Sequence, residues 1–312
     1  MAKIRINRTN DYLFKHIFST DEVLLGFLNA VFHLPSGKEL ARVKLADREI
    51  DPGHLLDRGT RLDILAETEE GVIINIEVQV ANEYNIPKRT LYYWSGLYHD
   101  QLTEGKEFQD LRQTITINIL DFIWFKDDKE RYHRTFHVRE DSTGELLNED
   151  LEIHFLEKKK VTDIENLPED PLKSWMVFLN NVQGEEMEAI AVNNPPIKKA
   201  LTIEEAFMRN KQERRIYELR EKARLDELSA LEGSEAKGRA EGRAEGKVEA
   251  SREAICEYLD ARFGSVSQSL QKQVRQIDRL EPLDRIIKQI FTANSVKEAK
   301  AVINNIMKEA QQ

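Results

Sequence analysis

Apolar residues recur at helical intervals near the start of the chain. Leu13, Phe14, Ile17 and Phe18 follow Asn10-Asp11, a pair suited to starting a turn. Asp21 then caps a second predicted helix with the stripe Val23, Leu24, Phe27, Leu28 and Val31, and Pro35-Ser36-Gly37 ends it. Residues 38–60 are mixed, with a turn at Asp51-Pro52-Gly53. Alternation returns from Arg61 to Thr68. Glu69-Glu70-Gly71 supplies a turn, and Val72 to Val80 is β-branched and apolar, so the stretch predicts a hairpin. Residues 87–104 resume helical spacing with many aromatics, and Gln113 to Phe122 reads as a buried strand. Residues 134–139 and 150–157 suggest another hairpin across Ser142-Thr143-Gly144, and Pro171 opens a helix through Leu179.

Beyond residue 200 the pattern changes. Residues 203–231 predict a long, charge-laced helix, followed by a repeat at 238–250 with Gly238, Gly242 and Gly246 every fourth residue. Each glycine weakens a helix by about 1 kcal/mol, so the repeat reads as a marginal helix or a flexible tether. Residues 251–309 carry short apolar stripes, Ile255/Leu259/Phe263 and Ile286/Ile287/Ile290/Phe291, punctuated by Gly264 and Pro282. The expected organisation is a main domain over 1–200, a charged helical linker over 201–250, and a small all-α module over 251–312. That module is expected to make the chain a homo-oligomer.

Composition narrows the function. Of 312 residues, 40% are hydrophobic, enough for a sizeable core. The net charge of −10 argues against nonspecific coating of nucleic acid, although a local basic groove is compatible with it. Segment 126–170 holds 8 basic and 14 acidic residues, which disfavours a groove there. Segment 203–253 holds 12 basic and 13 acidic residues, which suits a solvated or self-pairing helix rather than a DNA arm. The lone Cys256 excludes an intrachain disulfide, and no membrane span or secretion signal is evident, so a cytoplasmic setting is expected.

Candidate chemistry sits on the 61–80 hairpin. A turn centred on Glu70 places Asp63 opposite Glu77, and alternation puts Gln79 on the same face. The other face, Leu62, Ile64, Ile74, Ile76 and Val78, is wholly apolar and must lie on a core. Two carboxylates facing each other repel, and a hard divalent cation removes the conflict. The carbonyl of Val78 offers a further oxygen ligand. The competing reading is a solvated hairpin face. Leu65 and Ile73 on the site face, and the Ile/Val-rich neighbouring strands, count against it.

Asp63 followed by Glu77-Val78-Gln79 resembles the PD-(D/E)XK nuclease signature, with Gln in place of Lys. Asn10-Asp11-Tyr12-Leu13-Phe14-Lys15, Arg61-Leu62-Asp63, Ile76-Glu77-Val78-Gln79, and Arg89 with Tyr92-Tyr93 together resemble the Rpn family, the recombination-promoting nucleases also described as transposases. The likeness covers residues 8–125 and extends towards 230. It implies an α/β fold with an αβββαβ core and a mostly helical C-terminal extension. It also implies cleavage of DNA phosphodiesters with magnesium, or with manganese or calcium in its place. Asp63, Glu77 and the Val78 carbonyl would then be metal ligands, with Gln79 at the lysine position. Gln can only orient by hydrogen bonding, so a cation must come from elsewhere: Lys15, Lys88 and Arg89 are candidates. The alternative is a catalytically weak or inactive nuclease fold that binds DNA or protein.

Supporting residues keep two readings each. Asp11 is an accessory acid or a helix N-terminal residue favoured by the dipole. Lys15 is a catalytic cation or a solvated side chain. Arg89 with Tyr92 or Tyr93 makes a phosphate clamp or packs on the sheet. Trp94 and Tyr98 are expected in the core. His133 and His137 are four apart, but their strand-like context does not suit a zinc site. No P-loop or dinucleotide fingerprint is present.

Overall fold

Asn10 starts the first helix. Its side-chain oxygen accepts the N–H groups of Tyr12 and Leu13, two of the donors a helix start leaves unpaired. Helix α1 (Asp11–Phe18) thereby buries Leu13, Phe14, Ile17 and Phe18, and α2 (Asp21–Phe32) buries Val23, Leu24, Phe27, Leu28, Ala30 and Val31. The computed structural model describes residues 6–35, 37–46, 63–81, 85–162 and 170–310. The turn read at Asp51-Pro52-Gly53, together with Ser36, Arg61 and Leu62, lies outside the described residues.

Three strands follow: β1 (Val43–Leu45), β2 (Ile64–Thr68) and β3 (Ile73–Gln79), each antiparallel to the next. Gly71, at φ +82°, closes the β2–β3 turn in a conformation that favours glycine. The chain then crosses through α3 (Ile86–His99) to β4 (Thr114–Leu120), which runs parallel to β3. Strand β6 (Leu151–Glu157) lies parallel to β4, and β5 (His133–Phe136) pairs antiparallel on the outer edge. Among the described residues the sheet order is β1-β2-β3-β4-β6-β5. This is the expected αβββαβ arrangement extended by two strands.

The central strands are covered on both faces, which is why β4 (TITINIL) is buried at every position. One face presents Ile64, Ala66, Ile74, Ile76, Ile115, Ile117 and Ile119 to a core shared with α1, α2 and α4 (Pro171–Leu179). On the other face, Leu65 and Ile73 pack with Leu97 of α3, so the hairpin's polar side lies under a helix rather than in open solvent.

After α5 (Glu185–Asn193) and α6 (Pro195–Arg209), Asn210 interrupts the single helix expected over 203–231. Its side chain accepts the N–H groups of Gln212 and Glu213 and begins α7 (Lys211–Phe263), which includes the glycine repeat. Two compact units emerge, Met1–Leu225 and Asp226–Gln312. The second also contains α8 (Gln268–Val274), α9 (Leu280–Ile290) and α10 (Val296–Glu309). Its own core joins Ile255, Cys256, Leu259, Leu270, Val274, Leu283, Ile286, Ile290 and Ile303. Phe263 and Ile287 are partly buried against that core, whereas Phe291 is exposed. Among the described residues no helix is long and apolar enough to cross a membrane.

Candidate active site

Strand register brings the two acids together. Ile64 pairs with Ile76 and Leu65 with Asn75, so one step further Asp63 faces Glu77, as the turn position predicts. The Asp63 carboxylate accepts the N–H of Val78 at 2.8 Å, which ties it to the residue between Glu77 and Gln79. Glu77 and Gln79 are both buried, and they stand beside Asn118 and Leu120 of β4. Asn118 is fixed from two sides: its side chain accepts the Thr90 hydroxyl at 3.0 Å and donates to the His154 carbonyl at 3.2 Å.

Burial sets the electrostatics. It pushes the Glu77 carboxyl up to about 8; the Asp63 charge adds to the rise, and Arg89 opposes it. Asp63 is also raised, first by burial, while the Val78 N–H and then the Lys15 charge pull it back. Glu77 is therefore poised to hold a proton near neutrality unless a cation arrives.

The predicted supporting residues divide. Asp11 and Lys15 on α1 both act on Asp63 electrostatically, in opposite senses, and Arg89 acts on both acids. Asp11 is also ion-paired to Arg220 of α7 at 2.5 Å. The Arg89 guanidinium lies 5.4 Å from the Tyr93 ring, so its aromatic neighbour of the expected pair is Tyr93; Tyr92 is exposed and touches Tyr93. Lys88 is exposed on α3. Trp94 and Tyr98, expected in the core, are only partly buried, with the Trp94 indole donating to the Thr114 carbonyl at 2.7 Å and the Tyr98 hydroxyl to Asp150 at 2.6 Å.

Sequence reading missed a group at the carboxyl ends of the parallel strands, where open α/β sheets usually place their sites. Asp121, just after β4, donates its N–H to the Gln79 carbonyl at 2.9 Å. Its carboxylate pairs with Lys158 at 3.1 Å and Lys159 at 3.0 Å, both just after β6. Lys158 is buried, and burial pulls its pKa down. The net acidity of 126–170 masked these lysines. The signal available was position: charged residues immediately following strands.

A sequence model of PD-(D/E)XK nuclease family transposases matches residues 8–234. The chain belongs to this family. No curated protein and no solved structure matched it. The matched span takes in α1, the whole sheet and the first part of α7.

PD-(D/E)XK nucleases generally use a divalent metal, and the donor set fits one. Glu77 Oε1 is buried without a hydrogen-bond partner, a costly state for a carboxylate oxygen unless a cation or solvent meets it. Asp63 and Glu77 supply hard oxygens suited to magnesium, which needs only one or two carboxylates beside waters and substrate phosphate. Among the described residues no group of three or more His, Cys, Asp or Glu side chains is placed to hold a metal. Val78 turns its N–H towards Asp63.

Proposed function

We propose that the chain is a magnesium-dependent DNA endonuclease related to the recombination-promoting nucleases. The observation that carries this reading is the pairing of a partly buried Asp63, just before β2, with the buried Glu77 of β3, the latter pushed up to about 8 by burial and its neighbour's charge. Asp63, Glu77 and the Val78 carbonyl would hold the ion, with manganese or calcium as substitutes. When bound, such an ion would supply Lewis-acid activation of water and stabilisation of charge on the scissile phosphate. Gln79, whose amide carries no charge, would orient the attacking water by hydrogen bonding alone. Lys15 and Arg89 supply the cationic balance that the motif lysine provides elsewhere, and Asp11 assists from α1. Arg89 and the exposed Tyr92 offer contacts to the DNA backbone.

The test is nicking of supercoiled plasmid with magnesium, wild type against Asp63→Ala. Equal nicking by both proteins removes the site assignment. A second reading, a nuclease fold that binds DNA or protein without cutting, is favoured by the neutral Gln79 beside a carboxyl that resists ionisation. Calorimetric titration separates the two: DNA binding with no magnesium or manganese binding supports the second.

The helices of 251–309 carry a core of their own and are read as a self-association module in a cytoplasmic protein. Truncation after residue 232 should lower the solution mass to that of a monomer. An unchanged oligomeric state counts against this role.

A further inference from the structure

Helix α1 carries Asp11 and Lys15, whose charges act on Asp63, and the start of α1 is held by a helix some two hundred residues away in sequence. Glu221 of α7 accepts the Asn7 amide at 3.2 and 3.1 Å and the Asn10 amide at 3.2 Å. Arg224 steadies the same carboxylate through Nε at 3.1 Å. Asn10 is the cap of α1 and is 1% exposed, so its side chain spends its oxygen on the helix and its amide group on Glu221. Asn7 donates its N–H to the Tyr217 hydroxyl at 2.8 Å, while its side-chain oxygen accepts from Thr9 N at 3.1 Å and Thr9 Oγ1 at 2.8 Å. One turn away, Glu213 accepts the Tyr12 hydroxyl at 2.5 Å, and Arg220 pairs with Asp11.

These contacts continue to the catalytic strand. Lys158 Nζ lies 3.4 Å from Thr9 Oγ1 and 3.1 Å from Asp121 Oδ1, and the Asp121 N–H donates to the Gln79 carbonyl at 2.9 Å. A run of polar contacts thus joins Glu221 to the end of β3, where Glu77 and Gln79 stand.

We propose that Glu221 is a positioning residue of the nuclease site: by holding the Asn7 and Asn10 amides it fixes the start of α1, and with it the placement of Asp11 and Lys15 beside Asp63. The inference rests on the metal-nuclease reading of Asp63 and Glu77 given above. The simpler role for Glu221, a cap partner that only stabilises the fold, makes a different prediction. Loss of Glu221 leaves two buried amides without an acceptor and lets the cap residue turn away from the helix. The Arg220–Asp11 pair is half exposed and adds little stability. Its effect is to fix where the Asp11 charge sits.

The experiment uses the full chain, with manganese binding measured by calorimetry in the absence of DNA, alongside kcat and KM for an oligonucleotide duplex and thermal melting. Glu221→Ala is expected to weaken manganese binding about tenfold, as loss of outer-shell support does at metal sites. It should also lower kcat while leaving KM within about twofold, and Glu221→Gln, which keeps one carbonyl acceptor, should recover part of both. A Glu221→Ala protein that melts earlier yet binds manganese and turns over like wild type overturns the proposal. If Glu221→Ala does not fold, Asn10→Ser decides, since serine still caps α1 but cannot donate an amide to Glu221. Weakened manganese binding in that variant supports positioning, and unchanged binding overturns it. Failure of the wild type to bind manganese at all refutes the underlying site reading instead, so the two failures are distinguishable.

Discussion

The Asp63 carboxylate accepts the Val78 N–H at 2.8 Å, so the first acid of the site is fastened to the strand that carries the second. This gives Asp63 two separable jobs. Asp63→Asn keeps an acceptor for Val78 and removes the repulsion with Glu77, so it is expected to fold at least as stably as wild type. Cleavage should nevertheless fall by more than the about 10- to 100-fold typical of losing an outer-shell partner. Asp63→Ala loses the anchor as well and should cost about 1 kcal/mol in urea unfolding relative to Asp63→Asn. Equal stability of the two variants would show that the Val78 contact contributes nothing.

Glu77 makes stability depend on pH in a stated direction. Its folded pKa, about 8, lies above the ordinary glutamate value, so the folded protein holds a proton that the unfolded chain releases. The resulting stabilisation is complete below about pH 4.3 and is lost as pH rises towards 8. Asp63 is raised as well and acts in the same sense. Metal-free wild type in chelator should therefore unfold more easily at pH 8.5 than at pH 5, and Glu77→Gln should flatten that dependence. Added magnesium should stabilise the wild type more at pH 8.5 than at pH 5, because binding at the lower pH must first displace protons. A metal-free stability that rises over this window contradicts the raised pKa of Glu77.

Gln79→Lys restores a cation to the motif. The side chains are similar in length, and position 79 shares the face of Glu77. A positive charge there favours the ionised form of Glu77, so the acidic limb of the kcat/KM profile should move to lower pH. An unmoved limb means that Arg89 already saturates that effect.

Arg8 tests the frame rather than the chemistry. Its guanidinium is buried, bonded to Glu204 at 2.5 and 3.1 Å and to the carbonyls of Phe178 and Val182 at 2.8 Å each. Arg8→Ala strands the Glu204 carboxylate and should destabilise by about 3–5 kcal/mol, measured by denaturant unfolding. A loss under 1 kcal/mol would mean that water reaches Glu204 readily.

The hairpin was legible because a glycine turn and strict alternation fix register, and register alone sets Asp63 against Glu77. The strand from residue 114 and the helix from Pro171 were equally plain from apolar runs and a helix-starting proline. Strand β1 was not, since three residues carry too little period to separate from a loop. The break at Asn210 hid within a continuous charge pattern. The Asp121–Lys158–Lys159 group and the grip of Glu221 on Asn7 and Asn10 escaped for a different reason. They join polar residues distant in sequence, and neither hydropathy nor local spacing records such contacts. Arg89 was found, but its aromatic neighbour proved to be Tyr93, a choice that helix spacing leaves open between i+3 and i+4.

The clasp between Asn10 and Glu221 spans 211 positions of sequence. Domains form during synthesis as their parts emerge from the ribosome, and contacts this remote close late. A nascent chain has its hairpin and the β4 strand that pairs with it outside the ribosome long before α7 arrives to seat the first helix. If the seat matters as proposed, cutting ability switches on only when the unit is fully made. A growing polypeptide would then carry the two acids without yet being dangerous to nearby nucleic acid.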